Sequence, residues 1–215
     1  MRLDSYIVEI GNLASRGRAK RAIMQGHVKV NGNVILKPSH DVEYSDNIEL
    51  KEGLDRPAGY WKLKDIQEKV NLIKPGDSVL DIGSSAGGFL MYAAEIALHV
   101  HGIEFSHNFR SELGKIAHEY DNITVEFGDV FSMPFEPEKT DCLLIDITAD
   151  PLASLKALGN VLPSLKHGGM LLQVVKMTKE TDREPILGKM SSLGLEIIEI
   201  MESRRKEAYI IARKL

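Results

Sequence analysis

The stretch Val79-Leu80-Asp81-Ile82-Gly83-Ser84-Ser85-Ala86-Gly87-Gly88-Phe89 decides the fold. A short apolar run ends in an acid, a loop of small residues follows, and an apolar helix-like segment runs from Phe89 to Ala97. Strand, tight turn and helix N-terminus in that order hold a nucleotide-like ligand. The helix end offers backbone N–H donors, and the glycines let the backbone come close. The acid comes before the loop, and the loop is not Gly-x-Gly-x-x-Gly, the dinucleotide pattern.

Outward from this stretch, strand-like and helix-like segments alternate from residue 58 on. The spacing predicts helices over Tyr60–Leu72, Phe89–Ala97, His107–His118, Pro151–Leu165 and Lys179–Leu193. It predicts strands over Ser78–Asp81, His99–Glu104, Thr124–Phe127, Cys142–Asp146, Met170–Lys176, Leu195–Met201 and Ala208–Ala212. Such alternation implies an α/β fold, a mostly parallel seven-stranded sheet with helices on both faces. Only Glu202–Glu207 joins the last two strands, so the final strand should be antiparallel.

Composition bounds the rest. The chain has 215 residues, 43% apolar and 27% charged, which fits one ordinary domain or a medium domain plus a small one. Its one cysteine, Cys142, lies in the apolar run Cys142-Leu143-Leu144-Ile145 and reads as a buried, inert thiol. No cysteine–histidine cluster suggests a metal, and none is expected. The polar start Met1–Ser5 is unlike a signal peptide, and no apolar run could span a bilayer, so a cytoplasmic protein is expected. Net charge is −4, but residues 1–50 carry seven Lys and Arg against six Asp and Glu, with the positive charge gathered in Arg16–Arg21.

Residues 1–50 read as a separate small α+β unit. Leu3, Tyr6, Ile7, Ile10 and Leu13 recur at helical spacing, and Ser15 can cap a second helix anchored by Ala19, Ala22 and Ile23. Gly26 ends that helix, Asn31-Gly32 turns a hairpin, and Val42, Ile48 and Leu50 suggest further short strands. The run Arg2-Leu3-Asp4, Ser15-Arg16, Ala19, Ile23, Gly26, Val28-Lys29-Val30-Asn31-Gly32 and Lys37-Pro38-Ser39 resembles the RNA-binding domain named for a small-subunit ribosomal protein, the S-four type. The resemblance implies RNA contacts at Arg16, Arg18, Lys20, Arg21, Lys29 and Asn31. In isolation Arg16–Arg21 would be a solvated helix face. Lys51–Pro57, polar with Gly and Pro, reads as a linker to the 58–215 domain.

Glu104 ends the second strand of the larger domain, where an acid accepts hydrogen bonds from both hydroxyls of a ribose. Dinucleotide binders share that device. Three features favour S-adenosylmethionine: the Asp-x-Gly-x-x-x-Gly turn at Asp81, Gly83 and Gly87, the Gly128-Asp129 pair after the third strand, and the antiparallel last strand. Together these resemble the Rossmann-like class I methyltransferase fold. The resemblance implies cofactor contacts at Asp81, Gly83, Ser84, Ser85, Ala86, Gly87, Gly88, Phe89, Glu104 and Asp129. A glycine turn that merely packs helix on strand is the plainer alternative.

Chemistry needs a group to meet the nucleophile. Lys176 follows the apolar Leu171–Val175, an odd place for a core lysine and a natural one for a site at a strand end. With Lys62, Asp146 and Glu207 it matches the Lys-Asp-Lys-Glu tetrad of the FtsJ-like ribose 2′-O-methyltransferases, a resemblance covering residues 56–215. It implies Lys176 as base or alkoxide stabiliser, Asp146 and Glu207 holding its charge, and Lys62 positioning the substrate. Arg204-Arg205-Lys206 reads as a solvated turn or a phosphate contact. An S-four-type domain fused to such an enzyme also resembles the hemolysin-like (TlyA-type) ribosomal RNA methylases. The implied partner is structured RNA, ribosomal RNA or a ribosomal subunit. The rival expectations are an RNA-binding assembly factor with an inactive methyltransferase fold and a nicotinamide-linked oxidoreductase.

Overall fold

Helical spacing in Leu3, Tyr6 and Ile7 forms α1 (Leu3–Glu9), and Ser15, whose hydroxyl accepts the Arg18 N–H at 3.4 Å, caps α2 (Arg16–Met24). Asn31 and Gly32, both at positive φ (50° and 79°), turn β1 (Val28–Val30) into β2 (Asn33–Val34), as a type I′ hairpin requires. β3 (Ile48–Leu50) flanks the other side of β1, giving the order β2-β1-β3. Leu3, Ile7, Ala19, Ile23, Val28 and Val30 meet in one core. Two expectations fail. α1 stops at Glu9, leaving Ile10 41% exposed, although Leu13 still reaches the core from the following loop. Val42 is buried but belongs to no strand. It exchanges hydrogen bonds of 2.8 Å with the backbone of Met1, which satisfies its polar groups without a ladder.

The computed structural model describes residues 1–13, 15–51, 56–177, 183–202 and 207–215. It divides into two units, Met1–Pro57 and Ala58–Leu215. The second unit runs α3 (Ala58–Val70), β4 (Ser78–Ile82), α4 (Gly88–Ala94), β5 (His99–Glu104), α5 (Arg110–Glu119), β6 (Ile123–Phe127), β7 (Thr140–Ile145), α6 (Pro151–Val161), β8 (Leu165–Lys176), α7 (Glu184–Ser192), β9 (Leu195–Glu202) and β10 (Glu207–Lys214). The sheet order is β6-β5-β4-β7-β8-β10-β9, parallel from β6 to β8, with β10 antiparallel to both of its neighbours.

β7 shows why this sheet is sandwiched. Cys142 and Leu144 join the core beneath α3, α4 and α5, while Leu143 and Ile145 join the core beneath α6 and α7. Each face of a strand takes alternate residues, so a run apolar at every position must be covered on both sides. The chain leaves β4 for β5 on one side and reaches β7 on the other. A crevice therefore opens at the carboxyl ends of these strands, where the strand order reverses.

Candidate active site

A cavity of about 500 Å³ occupies that crevice. Gly83, Ser85, Glu104, Asp129 and Asp146 line it from the ends of four strands, and Phe105, Phe109, Phe131 and Ile147 supply apolar walls. Both Glu104 oxygens are oriented by backbone N–H groups, Oε2 by Ser85 and Oε1 by Ser106, each at 2.7 Å. Asp129 Oδ1 accepts the Phe131 N–H at 3.0 Å. Carboxylates held this way keep lone pairs aimed at a ligand without side-chain reorganisation.

The glycine loop has a second explanation. A Cβ on Gly83 would lie 2.7 Å from the carbonyl of Asp146, and one on Gly88 would lie 2.6 Å from the Tyr60 nitrogen on α3. One on Gly87 would collide with Ile116 of α5. The loop is walled by protein on three sides, so packing demands its glycines as strongly as any ligand does. Of the expected cofactor residues, Asp81, Ser84, Ala86, Gly87, Gly88 and Phe89 do not line the cavity. Phe89 is buried in the core beneath α3.

Asp81 stands behind the loop. It is fully buried, and neither carboxylate oxygen has a hydrogen-bond partner among the described residues. Burial, with lesser contributions from the charges of Asp146 and Glu104, pushes its pKa up to about 7, and the nearby Ser84 hydroxyl opposes the shift. That hydroxyl itself bonds the Asp81 carbonyl at 3.3 Å.

The second half of the site is an ionic knot. Lys62 Nζ lies 2.8 Å from Asp146 Oδ2 and 2.9 Å from Glu207 Oε2, with the lysine side chain only 11% exposed. Its ammonium is 5.5 Å from the Tyr209 ring centroid and 5.9 Å from that of Phe89, and Tyr209 Oη donates to Glu207 at 3.4 Å. Burial lowers the Lys62 pKa, but the two carboxylates outweigh it and the net shift is upward. Lys62 is thus a fixed cation.

The sequence reading paired both acids with Lys176, and the structure gives them to Lys62. Lys176 sits directly opposite Glu207 in the β8–β10 register and is exposed, with no ion pair among the described residues. Register brings the two backbones together, while helix α3 delivers Lys62 into the space between the acids. Tyr209 and the apolar cavity walls escaped the sequence reading. Their signal was adjacency, since Phe105 follows Glu104 and Tyr209 lies two positions after Glu207 on the same face of β10.

In the N-terminal unit, Arg16 is held by Asp4 at 3.2 Å and Arg18 donates to the Arg56 carbonyl at 2.7 Å. Lys20, Arg21 and Lys29 are exposed. The Asn31 amide braces Asp46 and the Asn47 N–H, at 2.8 and 2.9 Å. Arg204–Lys206 lie outside the described residues. Among the described residues no cluster could hold a metal, and no helix is long and apolar enough to cross a membrane.

The reversed β10, the Asp81–Gly83 turn and the acids ending β5 and following β6 define a Rossmann-like S-adenosylmethionine-dependent methyltransferase. Residues 56–215 match the FtsJ-like methyltransferase family, to which the chain belongs, and residues 1–48 match the S4 domain. The ribosomal RNA large subunit methyltransferase E of Legionella pneumophila (strain Lens) is 28% identical over 206 residues, spanning 80% of this chain and 92% of that one. Hemolysin A of Brachyspira hyodysenteriae is 32% identical over 114 residues, half of this chain and 46% of that protein. Among solved structures, one described as a hemolysin from Streptococcus thermophilus superimposes with a TM-score of 0.63 at 21% identity, covering 100% of this chain and 88% of that one.

The described residues fit the cofactor. The cavity has the volume usual for ligands of this size, carboxylates at the strand ends suit an adenosine, and the orphaned Asp81 calls for a hydrogen-bond donor.

Proposed function

We propose that this chain methylates a ribose 2′-hydroxyl of structured RNA, ribosomal RNA in particular, with residues 1–50 gripping the RNA and residues 58–215 performing the transfer. The observation that carries the reading is Asp146, which lines the cofactor cavity and at the same time bonds Lys62. Methyl donor and lysine knot therefore share one residue. The name of the Legionella relative, a ribosomal RNA methyltransferase, and the S4 match support RNA as the substrate.

Bound S-adenosylmethionine supplies a methyl group made electrophilic by its sulfonium. Glu104 would hold the ribose of the cofactor, and Asp129 its base. Asp81, behind the loop, would accept a hydrogen bond from the cofactor's ammonium or from a water between them. A 2′-hydroxyl is a weak nucleophile and must lose its proton as the new bond forms. Lys62, pinned by two carboxylates, cannot accept it. Lys176, exposed and beside Glu207, fills that role: in its neutral form it takes the proton, and as a cation it stabilises the alkoxide while the proton passes to solvent. Lys62 and its acids set the field and the position of the incoming ribose.

The test is Lys176→Ala with labelled cofactor and ribosomal RNA, followed by mapping of the modified nucleotide. Transfer to a 2′-oxygen in the parent chain is expected, lost in the variant while calorimetry shows cofactor binding intact. A methylated base, or full turnover by the variant, would sink the reading.

A further inference from the structure

The N-terminal unit contains a charge cluster that the methyl-transfer site does not use. Asp4, on the first turn of α1, has a side chain with no exposed surface. Its Oδ1 accepts from Arg2 Nε at 3.0 Å, and its Oδ2 from Arg2 Nη2 at 3.0 Å and from Arg16 Nη2 at 3.2 Å. The two arginines remain about half exposed, at 46% and 54%. One buried carboxylate therefore fixes two half-exposed guanidiniums on the surface.

Local stability alone explains this cluster poorly. Arg2 caps α1 and Arg16 opens α2, so both cations sit at helix N-termini, where the helix dipole disfavours positive charge. α2 has no acid of its own in its first turn, and the acid bonded to both cations is Asp4, in the first turn of α1. Burying a carboxylate is costly unless it is fully paired, and here the pairing spends few guanidinium N–H groups, leaving most for a ligand. Asp41, bridged to Arg2 through the backbone, is exposed and is the other acid acting on that residue. The arginine bonds hold the Asp4 carboxyl at about 2 against the cost of burial, so the clamp persists throughout the physiological range.

We propose that Asp4 is a positioning residue that presents Arg2 and Arg16 as a paired guanidinium clamp for adjacent RNA backbone phosphates, with Arg2 a direct contact. The inference rests on the RNA reading given above. Guanidinium forks match phosphate oxygens bidentately, and a fork already oriented loses less freedom on binding than a free side chain does.

The experiment measures affinity of the full chain for in-vitro-transcribed large-subunit ribosomal RNA across a salt series. Variants are Asp4→Asn, Arg2→Ala and the paired Arg2→Lys/Arg16→Lys. Asp4→Asn removes a negative charge, so a surface acting by charge alone would bind RNA as well or better. The clamp predicts a loss of roughly tenfold instead. Arg2→Ala should lower the salt slope by about one. The double lysine variant keeps charge and ion pairing but loses the forks, and should also weaken binding severalfold. It decides the matter if Asp4→Asn unfolds, as monitored by circular dichroism. Unchanged or tighter binding by the double lysine variant overturns the clamp while leaving the RNA reading intact. Failure of the parent chain to bind the RNA overturns both.

Discussion

Asp81 and Asp146 stand at the ends of adjacent strands, β4 and β7, and meet opposite fates. Through Oδ2, Asp146 engages a lysine that it shares with Glu207. Asp81, completely buried, has no partner at either oxygen among the described residues. An engaged acid organises the protein: it fixes Lys62 as a cation at a chosen point. An acid with no partner among the described residues would, on the proposed reading, be completed by a ligand. On that reading the two acids mark the two halves of one reaction centre, one built in advance and one to be completed by the cofactor.

The largest expected effect breaks the engaged half. Lys62→Met removes the cation and leaves Asp146 and Glu207 facing each other without compensation. Methyl transfer should fall by roughly 10²–10⁴-fold, the range for losing a preorganised charge or a proton-handling group. Cofactor affinity, measured by calorimetry, should change much less, since Glu104, Asp129 and Asp81 are untouched. Comparable loss of both would show that the halves are one unit rather than two.

Next comes the orphaned half. Asp81→Asn should weaken cofactor binding about tenfold or more, as an acceptor for a charged group is replaced by a neutral amide. It should also stabilise the ligand-free chain at high pH. In the fold Asp81 titrates near 7, whereas an unfolded aspartate titrates near 4. Between those values the native state holds the extra proton, so its contribution to stability declines as pH rises through that window and is flat above it. The Tm of the ligand-free parent should drop from pH 5 to pH 8 more steeply than that of the variant. Parallel profiles would show Asp81 to be ionised and stabilised by a group not seen here.

The same contrast separates what was legible in the sequence from what was not. Asp81, Gly83, Glu104 and Asp129 could be read in one dimension, because each sits at a strand end and strand ends follow from the alternation of apolar runs and turns. The seven strands and the reversed β10 followed from the same alternation. The partner of the acids was not legible. Lys62 is 84 positions from Asp146 and reaches it only because α3 packs on α4. That packing passes through Gly88, which the sequence offered as a ligand glycine and the structure uses as a crossing point. Nor could the early stop of α1 be read, since Leu13 is buried as it would be in a continuing helix.

Gly88→Ala tests the crossing. A Cβ 2.6 Å from the Tyr60 nitrogen must push α3 away, at a cost of about 1–3 kcal/mol for overpacking. Lys62 lies two residues beyond Tyr60, so the displacement should carry the ammonium off its acids. The expected signature is a lowered Tm and a turnover loss of about tenfold at saturating cofactor, with cofactor affinity altered by less. A variant with reduced affinity and intact turnover would return Gly88 to the ligand side of the loop.

The smallest effect is expected at Tyr209, and it sharpens the engaged half. Tyr209→Phe keeps the aromatic face beside the Lys62 ammonium and removes the hydroxyl 3.4 Å from Glu207. A hydrogen bond that long is weak, and Glu207 keeps its ion pair with Lys62 at 2.9 Å. Turnover should therefore fall by less than about threefold, within the worth of one weak hydrogen bond. Tyr209→Leu removes the ring as well and should cost more, since an ammonium beside an aromatic face in a partly dehydrated site is held by roughly 1–2 kcal/mol. If the two variants lose turnover equally, the hydroxyl rather than the ring is what steadies the knot, and Glu207 depends on Tyr209 for its orientation more than on Lys62.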